Sequence, residues 1–313
     1  MKTVSICPDS QSPQLNRGIN LSLFPPMRAN IPGSPPRPSL WMKAWRFLLR
    51  AALTALLLAA RITRYLPRVR GFYKLQKFYQ RALPEQFLMR TRFDGDLLFD
   101  LDLKHHLGVF LWHYPDFYEK EEIAAFCALI TPGCRVLDVG ANVGLYTLLA
   151  AKRGAHVFAV EADPLNVEVL RHHVTINGFK DRVTILEMAA IDTEKALPLY
   201  RNPDNPGESN VHDRGQLSAT VAGRTLDSLN LPALDICKMD IEGSELAALL
   251  GMQQTLVRSP RLKLFVEYAE AFGNGQELLV FLRSHFHTLT VLEKASQGTP
   301  GEIPPFCNIL AER

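Results

Sequence analysis

Apolar and polar positions fall into three regimes along the chain. Residues 1–40 are rich in proline, with Ser, Asn and Gln between, and lack sustained periodicity, so disorder is expected there. From Trp41 to Arg70 the basic residues Lys43, Arg46, Arg50, Arg61, Arg64 and Arg68 recur at helical multiples among Leu, Phe, Trp and Ala, which predicts a basic amphipathic helix within an extension over 41–86. Its longest uncharged run, Ala51–Ala60, covers about half of the ~20 residues needed to cross a bilayer. Three readings stay open for it: a helix on an anionic membrane surface, a helix docked on the rest of the chain, or a signal peptide if translation begins at Met42.

The third regime begins at Phe87. Two alternating runs flank Asp94-Gly95, a strong hairpin signal, and give a β-hairpin lead-in over 87–118. Glu119–Ile130 has helical spacing and stops at Thr131-Pro132-Gly133. Beyond it, strand-like runs at Arg135–Val139, His156–Val160, Val183–Glu187, Asp235–Met239 and Leu262–Tyr268 alternate with helical segments near Val143–Lys152, Pro164–Asn177, Ser244–Arg258 and Gly275–His285. That alternation predicts an α/β domain over 119–313 with a doubly wound, mostly parallel sheet. Phe286–Leu292 and Phe306–Ala311 have no helix between them and are expected to pair as an antiparallel edge hairpin.

Composition narrows the picture modestly. With 313 residues and 47% apolar side chains the chain can bury a full core, and a net charge of +3, much of its excess between Lys43 and Lys77, does not suggest steering toward nucleic acid. Cys7, Cys127, Cys134, Cys237 and Cys307 lack metal-ligand spacing and are odd in number, so a reducing, cytoplasmic setting is the default expectation.

The chemistry concentrates around Asp138-Val139-Gly140-Ala141-Asn142-Val143-Gly144, where Gly140 and Gly144 let the backbone turn tightly off a strand at a helix N-terminus. The dinucleotide fingerprint wants a glycine where Asn142 stands, and the Asp138 carboxylate would repel a pyrophosphate yet attract an ammonium, directly or through water. Glu161 ends the second core strand 21 residues after Gly140, where such folds place the acceptor for two ribose hydroxyls. An adenosine bearing a cationic end fits: S-adenosylmethionine.

Further segments, Asn177-Gly178, Thr225-Leu226-Asp227-Ser228-Leu229 and Lys238-Met239-Asp240-Ile241-Glu242-Gly243-Ser244-Glu245, together with DVGANVGLYT resemble the FkbM family of class I methyltransferases from about Tyr118 onward. The resemblance implies a seven-stranded Rossmann-like sheet, S-adenosylmethionine as donor, and transfer to a hydroxyl of a sugar, glycan, lipid-linked saccharide or natural product. It also implies that Glu119, of the aromatic-Glu pair Tyr118-Glu119, and Tyr146 face the cofactor, and that Ala190 and Asp192 border the adenine. Deprotonating an alcohol calls for a general base within reach. Asp240, Glu242 and Glu267 stand at strand ends beside the expected switch point, with Asp240 also able to hold the cofactor, Glu242 to cap the next helix and Glu267 to bind acceptor hydroxyls. Lys238 could neutralise these acids, and His113 is the one histidine expected in a loop near the site. Asp240-x-Glu242 lacks a third nearby ligand, so no metal is expected.

Two rivals share the fold: an NAD-dependent oxidoreductase, disfavoured by Asn142 and Asp138, and a nucleic-acid methyltransferase, disfavoured because carboxylates without an aromatic follow the fourth strand. A binding protein that keeps the pocket without turnover is a third possibility. The polar run Asn202–Gly215 is either an acceptor lid or an ordinary loop.

Overall fold

The computed structural model describes residues 88–113, 118–202, 205–212, 215–292 and 303–313, with 77, 79–81 and 115. The proline-rich start and the basic helix expected over 41–70 lie outside the described residues.

The first hairpin joins β1 (Leu88–Phe93) to β2 (Leu97–Asp102) in antiparallel register, Phe93 opposite Leu97. Asp94 and Gly95 both take positive φ, 47° and 86°, the twist that two flanking strands favour and that a D-G pair supplies cheaply. Next comes α1 (His106–His113), where the sequence suggested only a loop; it buries Val109, Leu111 and Trp112. Then α2 (Lys120–Leu129) leads into the core strands.

In chain order these are β3 (Arg135–Val139), β4 (His156–Glu161), β5 (Val183–Glu187), β10 (Ile236–Met239), β11 (Lys263–Ala269), β12 (Thr288–Val291) and β13 (Phe306–Glu312). They form one seven-stranded sheet in the order β12-β13-β11-β10-β3-β4-β5. Pairings among β11, β10, β3, β4 and β5 are parallel; β13 runs antiparallel to both neighbours. The doubly wound, mostly parallel sheet is as expected. The terminal pair forms the expected antiparallel edge hairpin, with β13 between β11 and β12 so that β12 is the outermost strand.

Alternate residues of each buried strand face two apolar layers. Leu137, Val139, Cys237, Met239, Leu264 and Val266 pack on one side; Val136, Val157, Ala159, Ile236 and Phe265 join Phe126, Leu148 and Leu149 on the other. Between the strands run α3 (Leu145–Lys152), α4 (Pro164–Ile176) and α7 (Gly275–His285). Asp163 caps α4 by accepting from the Leu165 amide at 2.9 Å, and Pro164 occupies its first turn, where no donor is lost.

Two expectations are corrected. The single helix expected over Ser244–Arg258 is two, α5 (Glu245–Leu250) and α6 (Gln253–Arg258), broken at Gly251-Met252. A Cβ on Gly251 would stand 2.2 Å from the Ile191 carbonyl oxygen, so the chain makes a close backbone crossing there. Asp227 then caps α6, its carboxylate accepting from the Gln254 and Thr255 amides at 2.9 and 2.7 Å. The polar run Asn202–Gly215 is no plain loop either: it carries β8 (Asn205–Asn210), part of a second sheet ordered β6-β9-β7-β8 with β6 (Ala189–Ala190), β7 (Lys195–Asn202) and β9 (Gln216–Arg224). Arg201 on β7 and Ser209 on β8 both donate to the Asp163 carboxylate, the latter at 2.7 Å, which ties this sheet to the end of β4.

The lead-in hairpin is latched to α4 by side chains that imitate a strand. The Asn177 amide donates to Leu98 O and accepts from Leu98 N, both at 2.8 Å. His173, fully buried, bonds Val143 O through Nδ1 at 2.8 Å and accepts from Asp100 N at Nε2, 3.0 Å. Asn177→Ala should therefore cost about 1–3 kcal/mol, since two paired backbone groups lose their partner. Thermal melting and faster amide exchange at Leu98 would register it; an unchanged melt would show that the latch is idle.

Candidate functional site

The site forms where β3 and β10 lie side by side and the chain diverges to opposite halves of the sheet, the crevice at which such folds bind ligands. The turn after β3 has three residues at positive φ, Gly140 at 82°, Asn142 at 50° and Gly144 at 98°. At Gly140 the requirement is also steric: a Cβ there would meet Asp240 O at 1.9 Å. The turn after β3 and the turn after β10 thus touch backbone to backbone. Glu161 fixes the same turn from the other side, Oε2 accepting from Asn142 N at 2.7 Å and Oε1 from Asp163 N at 2.8 Å. Burial pushes the Glu161 carboxyl up to about 7, against those two amides, which favour its ionised form.

Asp138 is buried beneath the turn and accepts from Thr147 Oγ1 at 2.6 Å; burial raises it to about 6. Its observed partner is thus the first turns of α3. Ala190 is buried in β6, within the layer that holds Val160, and Asp192 is exposed in the stretch that follows.

Glu119 stands in left-handed conformation, φ 41°, at the N-terminus of α2, and its Oε2 accepts from Tyr146 OH at 2.6 Å. Lys238 Nζ lies 4.9 Å from the Tyr146 ring centroid, 3.2 Å from Asp240 Oδ2 and 3.4 Å from Glu122 Oε1. Lys238 does neutralise acids, as the sequence suggested, but one of them, Glu122, was not among the sequence candidates. Glu122 sits one helical turn after Glu119 on α2, and a carboxylate on the apolar face of an amphipathic helix was the available signal. Burial raises Glu122 to about 7 although Lys238 pulls it down.

Asp240 and Glu242 follow β10 and Glu267 lies near the end of β11. Burial, then the charges of Asp240 and Glu242, push Glu267 far above the ordinary carboxylate range, and its Oε2 has no hydrogen-bond partner among the described residues. The shift favours the protonated carboxyl, the form in which Glu267 can donate a hydrogen bond. The turn after β10 is braced by Glu245, whose Oε1 accepts from Ile241 N at 2.9 Å and Gly243 N at 3.2 Å, while Glu242 passes through φ 56°. His113 is also corrected: it is buried at the end of α1, stacked on Tyr79, with Nε2 2.9 Å from the Tyr79 hydroxyl, and is held there rather than offered to an acceptor. Among the described residues no three His, Cys, Asp or Glu side chains converge as metal ligands.

The methyltransferase FkbM domain matches residues 138–295, just over half of the chain, from Asp138 through β12. Methyltransferase sdnD of Sordaria araneosa is 26% identical over 156 residues, covering 38% of this chain and 60% of that protein. Ribosomal protein L11 methyltransferase of Carboxydothermus hydrogenoformans is 36% identical over 59 residues, 18% of this chain and 19% of that one, so the chain spans less than two thirds of either relative. The crystal structure of methyltransferase FkbM from Methylobacillus flagellatus KT aligns with TM-score 0.42 and 18% identity over 66% of this chain and 54% of that one. On the match across Asp138 to Ser296's predecessor, residue 295, the chain belongs to the FkbM methyltransferase family.

Proposed function

We propose that the protein transfers a methyl group from S-adenosylmethionine to a hydroxyl oxygen of a sugar, glycan, lipid-linked saccharide or natural product. The observation that carries the reading is the contact of two turns: the glycine turn hung on Glu161, and the Asp240 turn pressed against Gly140. The residues fit the donor. Glu161 keeps a buried carboxylate against the turn after β3, where the hydroxyls of a ribose can donate to that acid. Asp138 and Asn142 favour an ammonium over a pyrophosphate, Glu119 and Tyr146 flank the same cofactor, and Ala190 and Asp192 border the adenine.

Bound there, S-adenosylmethionine supplies an electrophilic methyl group on a sulfonium. The protein must align an acceptor with it and exclude water. Asp240, half-exposed and ion-paired to Lys238, takes the acceptor's proton, Glu267 donates to an acceptor oxygen, and Glu242 lines the same turn. Incubating cell extract with isotopically labelled donor and fractionating it tests this directly. Label is expected in glycan, lipid or small-molecule pools; label in protein or nucleic acid alone sinks the proposal. Stabilisation by NAD and not by S-adenosylhomocysteine in a thermal-shift comparison would favour an oxidoreductase.

The Glu161 carboxyl makes donor binding depend on pH. Its folded value, about 7, lies above its ordinary value, so the ligand-free fold favours the protonated acid, and the associated stability fades as pH rises through 7. Ribose hydroxyls donate to the ionised form, so affinity for S-adenosylhomocysteine should rise up to about tenfold per pH unit below 7 and level off above it. Calorimetry in buffers of different ionisation heat would see up to one proton released below the knee; a flat profile would remove Glu161 from the ribose site.

Among the described residues no helix is long and apolar enough to cross a membrane. Peripheral attachment through residues 41–70 stays a proposal, to be tested by liposome flotation with and without residues 1–70.

A further inference from the structure

Behind Asp240 lies a buried ion triad. The side chains of Lys238 and Glu122 are 3% and 1% exposed, with Nζ 3.4 Å from Oε1, and the same Nζ stands 3.2 Å from Asp240, which is 36% exposed. Neither Glu122 oxygen has a hydrogen-bond partner among the described residues. Burying two such ions costs several kcal/mol each, and apolar side chains of similar volume are often as stable or more so. Phe126, Phe265 and Leu148 fill the surrounding layer already, so stability alone gives no reason for the pair. The arrangement does give one. A single ammonium is held from the buried side by Glu122 and from the open side by Asp240, and each carboxylate competes with the other for it.

We propose that Glu122 is a positioning residue for methyl transfer: its charge, 3.4 Å from Lys238 Nζ, offsets the pull of the ammonium that donates to Asp240 Oδ2 at 3.2 Å, and so leaves that carboxylate able to take a proton from the acceptor. The activity arm of this inference rests on the function proposed above. The charged and titratable groups facing Glu122 are Tyr118 and Glu119 at the start of its own helix, Lys238 on β10 and Asp240 just after it, and Tyr146 from α3, while Glu267 from β11 acts on Lys238. Without the Glu122 charge, Lys238 pairs with Asp240 more strongly, because a charge interaction in this buried layer is far less screened than in water. A carboxylate drawn toward an ammonium is a weaker base.

Glu122→Gln keeps the shape and removes the charge. In the full-length protein, the side-chain carbon signal of Asp240, assigned by its loss in Asp240→Asn, should step as Glu122 ionises around neutral pH, and the step should vanish in Glu122→Gln. This measurement needs neither donor nor acceptor, so it stands or falls apart from the proposed reaction. Where an acceptor pool has been found, Glu122→Gln should lower kcat about tenfold, move the acid limb of the rate profile to lower pH and leave KM for the donor within about twofold. A purely structural Glu122 would lower melting temperature and rate without moving that limb. A step that persists in Glu122→Gln, or an unmoved limb in a folded variant, overturns the inference. Should Glu122→Gln not fold, Glu122→Asp carries the same test, because it draws the charge back from Lys238: a smaller step is expected, and an unchanged one overturns the inference.

Discussion

Glu161→Ala should weaken binding of S-adenosylhomocysteine at least hundredfold. The substitution removes the acceptor expected for the ribose, and it also strips the Asn142 and Asp163 amides of their partner. Each buried donor left unmet costs about 1–3 kcal/mol, and every 1.4 kcal/mol is about a factor of ten in affinity if it falls on the ligand-binding state. The loss divides between a softened turn and a missing contact, so melting temperature without ligand should fall as well. Glu161→Gln separates the two: it keeps size and one acceptor oxygen but presents an amide donor to Asn142 N or Asp163 N. Calorimetric affinity within about threefold of wild type in the alanine variant would mean that the ribose is held elsewhere.

Gly140→Ala should be nearly as damaging, for a different reason. The new Cβ would lie 1.9 Å from Asp240 O and 2.9 Å from Ile241 Cγ2, on a backbone at φ 82°. Nothing there is the flexible end of a long side chain, so the turns after β3 and β10 must separate. Stability should fall by about 3 kcal/mol or more, with donor binding and turnover lost together. Gly178→Ala is the control: φ is 74° but nothing lies within 4 Å of its Cβ, so only the left-handed backbone is penalised, about 1–2 kcal/mol. Equal melting temperatures for the two variants would contradict the backbone contact.

The difference between those glycines is invisible in the chain, where each marks the turn that ends an element. What the sequence does carry is local. The central strands β3, β4, β10 and β11 are mostly apolar runs because both faces are covered, and Asp94-Gly95 and Asp163-Pro164 mark the first hairpin's turn and the cap of α4 by backbone preference alone. The glycine turn and Glu161 were legible for the same reason, since strand ends recur at a set spacing. The α5–α6 break was not, because Gly251 sits inside helical periodicity and its cause is a carbonyl on a distant segment, Ile191 O. The second sheet escaped notice because β7 contains Pro198 and β8 is almost wholly polar, so neither shows the alternation that announces a strand. Glu122 was missed because its meaning depends on Lys238, a partner supplied only by the packing of α2 on β10.

The placement of β13 bears on how the molecule is made. β12 precedes β13 in the chain yet hydrogen-bonds to the sheet only through it, Val291 opposite Ile309, while β13 lies against β11 with Val266 opposite that same Ile309. A ribosome therefore delivers β11 and β12 before the strand that must come between them. Until Phe306–Glu312 emerges, one side of β11 is an open ladder of backbone donors and acceptors, a template for pairing with the wrong chain. The sheet closes only when β13 takes its middle place, and truncations before Phe306 would strand β12 and leave an aggregation-prone product.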